Sequence, residues 1–223
     1  MPENKLTKFY AILRKRNGHQ HWWPGETPFE VIIGAILTQS CSWTNVETAI
    51  GNIKRADALS PLVLERMPLA ALGKLVRPTG YYKQKAKKIK SFLAYFKTYR
   101  YSIKSLRKRS MPELRGELLG VWGIGPETAD SILCYALDKP AFVIDAYTRR
   151  LLFRLGLTAE DASYDTLQRF CIERVPVSRA VYNDFHAQIV VHCKAFCRTV
   201  PKCVECPLRS ALCLYPNKRQ TPR

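Results

Sequence analysis

Apolar residues recur along this chain at helical spacing and nowhere at strand spacing, which restricts it to packed helices. Residues 45–54 carry Val46, Ala49, Ile50 and Ile53. Residues 83–99 carry Ala86, Ile89, Leu93 and Phe96 on one face, with lysines opposite. Both match the repeat of an amphipathic helix. Residues 29–38 form an apolar run opened by Thr27-Pro28, a cap followed by proline in the first turn. The same signals predict helices over 61–65, 68–76, 111–119, 127–137, 146–155, 166–175 and 179–194, with Gly156 as a stop. Runs of period two between hairpin turns are absent from the sequence. The expected fold class is all-α.

A chain of 223 residues suffices for one large domain or two small ones. With 47% hydrophobic residues it can bury a core, which excludes wholesale disorder. The longest apolar stretch, 31–37, falls well short of the ~18–20 residues that span a bilayer. The first ten residues lack the apolar segment of a secretory signal. A bacterial or archaeal cytoplasmic location, without membrane attachment, is therefore the expectation. Eight cysteines without such a signal argue against a secreted disulfide scaffold. The net charge of +18 implies a polyanionic partner, most simply nucleic acid. A merely solvated basic surface is the competing explanation. Residues 217–223 read as a short disordered basic tail.

Three local features carry chemistry. First, Cys197, Cys203, Cys206 and Cys213 are separated by five, two and six residues. Four thiolates so close in sequence suit tetrahedral zinc or an iron–sulfur cluster, and spacing alone does not separate them. Second, residues 120–130 read GVWGIGPETAD, with Gly123 and Gly125 ahead of a helix start near Glu127. Glycines permit a tight turn and leave backbone N–H groups open to a phosphate oxygen. Such a contact anchors a backbone and reads no base. An ordinary corner between two helices is the plainer reading. Third, Asp145 follows Val143-Ile144 and precedes a helix. Most aspartates in that position are N-caps. A carboxylate there also stabilises positive charge on a sugar or activates water.

Together these pieces resemble the helix-hairpin-helix DNA glycosylases of the endonuclease III superfamily. The matching segments are LTQSCSW (37–43), RPTGYYKQKAKKI (77–89), GVWGIGPETADSIL (120–133), VIDAYTRRLLFRLG (143–156) and the cysteine loop, in the family's order. The cysteine spacing departs from the commonest six-two-five pattern of that family. The resemblance implies a [4Fe–4S] cluster on the four cysteines and double-stranded DNA with a damaged base as partner. It implies Asp145 as the catalytic carboxylate. Bifunctional members carry a lysine after the hairpin that forms a Schiff base and nicks the strand. Here Glu127 stands at that position, which implies a monofunctional enzyme that leaves an intact abasic site. Gln39 matches the residue that fills the gap left by an extruded nucleotide. Gly123, Gly125 and Thr128 match the phosphate-anchoring hairpin, and Lys83, Lys85, Lys87 and Lys88 are expected on phosphates, or else on a merely solvated face.

Trp22-Trp23-Pro24 and Trp43 resemble the 3-methyladenine glycosylase branch, in which Lys194 also matches a base-pocket position. Aromatic faces attract a cationic alkylated purine, although core packing is the default for tryptophan. A mismatch uracil or thymine glycosylase is the runner-up. Two further readings of the same residues are a non-catalytic DNA-binding module and a zinc-dependent transcription factor. His186 and His192 precede the cysteine loop and are assigned no role. The implied architecture is two-lobed, with a DNA groove between a helical barrel lobe over 25–138 and a cluster lobe formed by 1–24 and 139–223. A monomer is expected.

Overall fold

A computed structural model describes residues 4–209, 212, 213 and 215. The expected basic tail, 217–223, lies outside the described residues. Among the described residues there is no β-strand, and no helix is long and apolar enough to cross a membrane. The chain divides into two compact units, one formed by 23–141 and the other by 1–22 with 142–223.

The continuous unit is organised around one buried helix. Helix α2 (Pro28–Leu37) starts at Thr27, whose side chain accepts from the Glu30 N–H, with proline at the first position. Every residue from Phe29 to Leu37 is buried. Helices α3 (Trp43–Arg55) and α6 (Tyr82–Thr98) pack against it. The shorter helices α4 (Pro61–Arg66), α5 (Leu69–Leu75) and α7 (Ile103–Lys108) complete this half. Helix α7 is missing from the sequence-based expectation, because its six residues bury Leu106 alone and so show no period. Lysines close some helix ends. The Lys90 ammonium donates to the Leu64, Glu65 and Met67 carbonyls at the end of α4, groups that have no partner within their own helix.

Helices α8 (Met111–Gly120) and α9 (Pro126–Ser131) form the glycine hairpin. Beyond α9 the chain continues through one wide π-turn, Ile132–Ala136, all of it buried. An ion pair closes the hairpin's base: Arg115 on α8 meets the fully buried Asp130 on α9 at 2.8 and 3.2 Å. Removing one partner of a buried pair costs about 3–5 kcal/mol, so this contact holds the two helices at a fixed angle.

The discontinuous unit joins helix α1 (Lys5–Asn17) to α10 (Ala146–Arg154), α11 (Tyr164–Ile172) and α12 (Arg179–Ala195). Helix α1 is also absent from the expectation. It is polar on average and buries only Leu6, Phe9 and Leu13. Its stability comes from a capping box between Asn4 and Thr7 and from packing on α12, where Phe9 and Tyr10 meet Phe185 at ring distances of 5.7 and 4.8 Å.

Candidate active site

The hairpin turn is shaped by Gly123, which adopts φ +85°. A Cβ there would lie 2.4 Å from Lys88 Cγ, so the turn admits no side chain. Helix α9 has no side-chain cap. Its first-turn N–H groups therefore have no side-chain acceptor at the cap position, as an anion site needs. Gln39 lies beside this turn: its Nε2 donates to the Gly123 carbonyl at 3.1 Å, and its Oε1 accepts from Lys88 Nζ. Gly125 is exposed and Thr128 is buried. Thr128 as a whole residue is only 6% exposed, so it offers a ligand little surface.

Of the expected phosphate lysines, Lys83 and Lys87 are exposed on α6. Lys85 corrects the expectation. It is buried, and its ammonium donates to the Thr79 carbonyl at 2.6 Å. Position 85 lies on the inward face of α6 with Ala86, Ile89 and Phe92. The preceding 77–79 turn presents a carbonyl there that needs a donor. Burial pushes the Lys85 ammonium below its ordinary pKa. Two aromatics that sequence reasoning passed over stand exposed on this unit: Trp122 in the hairpin and Tyr81, which adopts φ +44° ahead of α6. Their signal is exposure and backbone strain, which no pattern of residue types reveals.

Trp23, Pro24 and Trp43 line a cleft of about 460 Å³ with Glu26, Glu30 and Lys54. Trp23 sits edge-to-face with Trp43 at 5.0 Å and against Tyr135 at 5.2 Å. Its indole rests on Gly34 of α2. Lys54 bridges Glu26 and Glu30, each at 3.0 Å.

In the discontinuous unit, Asp145 caps α10 by accepting from the Thr148 N–H at 2.7 Å. The cap accounts for one carboxylate oxygen only. The other lies 3.5 Å from Nε2 of His186 on α12, with 14% of the Asp145 side chain and 6% of the His186 side chain exposed. Burial alone would raise the Asp145 pKa. The His186 ring and the Thr148 contacts outweigh it, so the carboxyl is held below its ordinary value. Asp145 is therefore an oriented, ionised carboxylate with restricted solvent access. His186 escapes sequence reasoning because α12 buries nearly every face, so a histidine there shows no distinguishing pattern.

Residues 33–176 match the model of the HhH-GPD superfamily base excision DNA repair proteins. The chain belongs to that superfamily. A protein of Methanocaldococcus jannaschii named as a candidate DNA repair glycosylase is 44% identical over 214 residues, covering 94% of this chain and 97% of its own. Endonuclease III of Bacillus subtilis is 28% identical over 200 residues, covering 86% of this chain and 83% of its own. Among solved structures, a 3-methyladenine DNA glycosylase of H. pylori bound to 1,N6-ethenoadenine superposes with a TM-score of 0.73. It is 29% identical and covers 86% of this chain and 98% of that one. A trapped endonuclease III–DNA covalent intermediate shares the fold with a TM-score of 0.79 at 24% identity, over 98% of this chain and 100% of that one. The protein is thus a DNA repair glycosylase of all-helical fold.

In this glycosylase the four loop cysteines line one small cavity, together with Leu151, Leu155, Phe196, Leu208 and His192. Among the described residues no three His, Cys, Asp or Glu groups are gathered closely enough to hold a single metal ion. The four thiols around one apolar cavity are nevertheless a donor set of the kind that would hold an iron–sulfur cluster. Cationic and donor groups flank the sulfurs. Arg154 Nη1 lies 3.4 Å from Cys197 Sγ and also donates to the Arg198 carbonyl, while Nη2 donates to the Thr199 carbonyl. The Cys193 thiol and Arg154 pull Cys197 down to about 6, against the opposing effect of burial. His192, whose Nε2 is 3.8 Å from Cys206 Sγ, is pushed down to about 4 by burial and is neutral at pH 7. Trp22 and Lys194 belong to the same discontinuous unit, and Lys194 is exposed.

Proposed function

We propose that this glycosylase hydrolyses the N-glycosidic bond of an alkylated purine such as 3-methyladenine and leaves the strand intact. The observation that carries this reading is the aromatic cleft built by Trp23 and Trp43. A flipped base is read by stacking and edge contacts, and indole faces favour a cationic ring over a neutral one. N-alkylation at a purine ring nitrogen gives the base a formal positive charge and makes it a good leaving group. Such a base departs with little acid assistance, and among the described residues of the cleft only carboxylates and Lys54 titrate. Trp22 and Lys194 join the base-recognising set by their match in sequence.

Asp145 supplies the rest of the reaction. As the base leaves with the bonding electrons, the sugar becomes oxocarbenium-like, and the ionised carboxylate stabilises that charge. Water adds at C1′ and gives its proton to the carboxylate or to solvent. His186 and the Thr148 N–H fix the orientation of Asp145. Glu127 occupies the place of the lyase lysine, and a carboxylate forms no Schiff base. The four cysteines are proposed to hold a [4Fe–4S] cluster, which would order the 197–213 loop. Gln39 is proposed to fill the gap left by the extruded nucleotide, with Tyr81 and Trp122 giving bases a stacking surface.

The test is a base-release assay on duplexes carrying methylated purines, uracil or thymine opposite guanine, oxidised pyrimidines, or adenine opposite 8-oxoguanine. Strand breaks are expected on methylated-purine DNA only after alkali. Breaks without alkali, or a borohydride-trapped adduct, would refute the monofunctional reading. Release of pyrimidines instead would make this a mismatch enzyme.

Lys83 and Lys87 give a separate prediction. Replacing either with methionine should make the salt dependence of DNA binding shallower by about 0.9 in log–log slope, as loss of one phosphate contact requires. Lys85→Met should leave the slope unchanged, because its ammonium is buried on Thr79. Titrations at several salt concentrations would decide both.

A further inference from the structure

We propose that Lys88 is a positioning residue for base extrusion, holding the Gln39 amide rigid against the hairpin before DNA arrives. The proposal rests on the gap-filling reading of Gln39 given above. Its own grounds are geometric and lie within the continuous unit.

Both ends of the Gln39 amide are engaged. The oxygen accepts from Lys88 Nζ and the nitrogen donates to the Gly123 carbonyl at 3.1 Å. An ammonium only donates and a carbonyl only accepts, so the amide has one orientation and no flipped alternative. The Lys88 stem reaches the glutamine by crossing directly over Gly123. A Cβ at that position would fall 2.4 Å from Lys88 Cγ and 2.9 Å from Cδ. The bare glycine therefore serves the lysine as well as the turn. Helix α6, the segment after α2 and the hairpin are tied together at this point by Lys88 and Gln39. Lys88 is half-buried, whereas its neighbours Lys83 and Lys87 are exposed.

A glutamine that enters a gap in the base stack must give up its rotamer freedom. If that freedom is already lost in the free protein, insertion gains the difference. Lys88 supplies this restraint. Its ammonium is spent on a side chain of its own unit, so it differs from Lys83 and Lys87 in what its removal should do.

The experiment uses the full chain and a duplex with a tetrahydrofuran abasic analogue and 2-aminopurine opposite the gap. This probe needs no knowledge of the natural lesion. Affinity and 2-aminopurine fluorescence are read for Gln39→Ala, Lys88→Met, the double variant and Lys88→Arg, with thermal melts as a check on folding. Lys88→Met keeps the stem over Gly123 and removes the donor. It should weaken binding about tenfold, the worth of one hydrogen bond to a charged group, and shift the fluorescence in the same direction as Gln39→Ala. The double variant should be no worse than Gln39→Ala alone, since one interaction is lost only once. Lys88→Arg should restore the fluorescence signal, and the salt slope should match that of the unmodified protein in every Lys88 variant. Additive losses together with a slope shallower by about one unit would make Lys88 a phosphate contact and overturn the proposal. Fluorescence unchanged in Lys88→Met but altered in Gln39→Ala would overturn the positioning role alone. An unaltered signal in Gln39→Ala would overturn the gap-filling reading, and the role of Lys88 with it.

Discussion

Asp145→Asn is expected to leave a folded, DNA-binding protein whose base release is slower by at least ~10²–10³-fold, the scale of a lost charge-stabilising or proton-transferring group. The substitution separates two functions of one side chain. Asparagine is nearly as good an N-cap as aspartate, so the contact to the Thr148 N–H survives. What disappears is the negative charge. Single-turnover base release and thermal unfolding, measured on the same preparation, check this. A large fall in melting temperature with proportionate loss of activity would make Asp145 a cap and no more. The carboxyl is also held below its ordinary pKa by His186 and Thr148 against burial. A carboxylate with a depressed native pKa keeps its charge above that value and loses it only as pH falls through it. Loss of activity through protonation of Asp145 should therefore set in at lower pH than for an ordinary aspartate, which a pH profile of single-turnover base release would check.

The second large effect is expected in the cysteine loop. Cys206→Ser should remove the broad absorption near 400 nm that marks a [4Fe–4S] protein, lower the bound iron, and reduce the melting temperature by about 10 °C, equivalent to about 3–4 kcal/mol in a chain of this size. Parts of the loop are loosely packed. Val200 and Val204 are about four-fifths exposed. Much of its anchoring comes from Arg154 and from Arg150, which donates to the Cys197 carbonyl at 2.8 Å. Iron analysis, absorption and melting give separate readings. A colourless wild-type protein with one bound zinc would overturn the assignment, and an unchanged melt in the serine variant would make the loop's order independent of the cluster.

Features set by local chemistry were legible in the sequence. The Thr27-Pro28 start of α2, the period of α3 and the Asp145 cap depend on residues within one or two turns of each other. Gly123 was legible as a turn, but not as the floor beneath a lysine, because Lys88 comes from another helix. Lys85 misled because charge is a weak guide to exposure when one orphan carbonyl lies within reach of the inner face. His186 and Lys88 were invisible as partners of Asp145 and Gln39 for the same reason: each meets its partner only through tertiary packing. Helix α1 was missed because its stability is supplied by α12, far away in sequence.

That last dependence sets an order of assembly. The unit over 23–141 is one continuous stretch, so it can form without waiting for the rest of the chain. The other unit is split by it. Leu6, Phe9 and Leu13 have no apolar surface to cover them until α12 is present, and the chain between must be gathered first. During synthesis helix α1 leaves the ribosome well before α12 and must wait for it, with the Leu6, Phe9 and Leu13 stripe uncovered in the meantime.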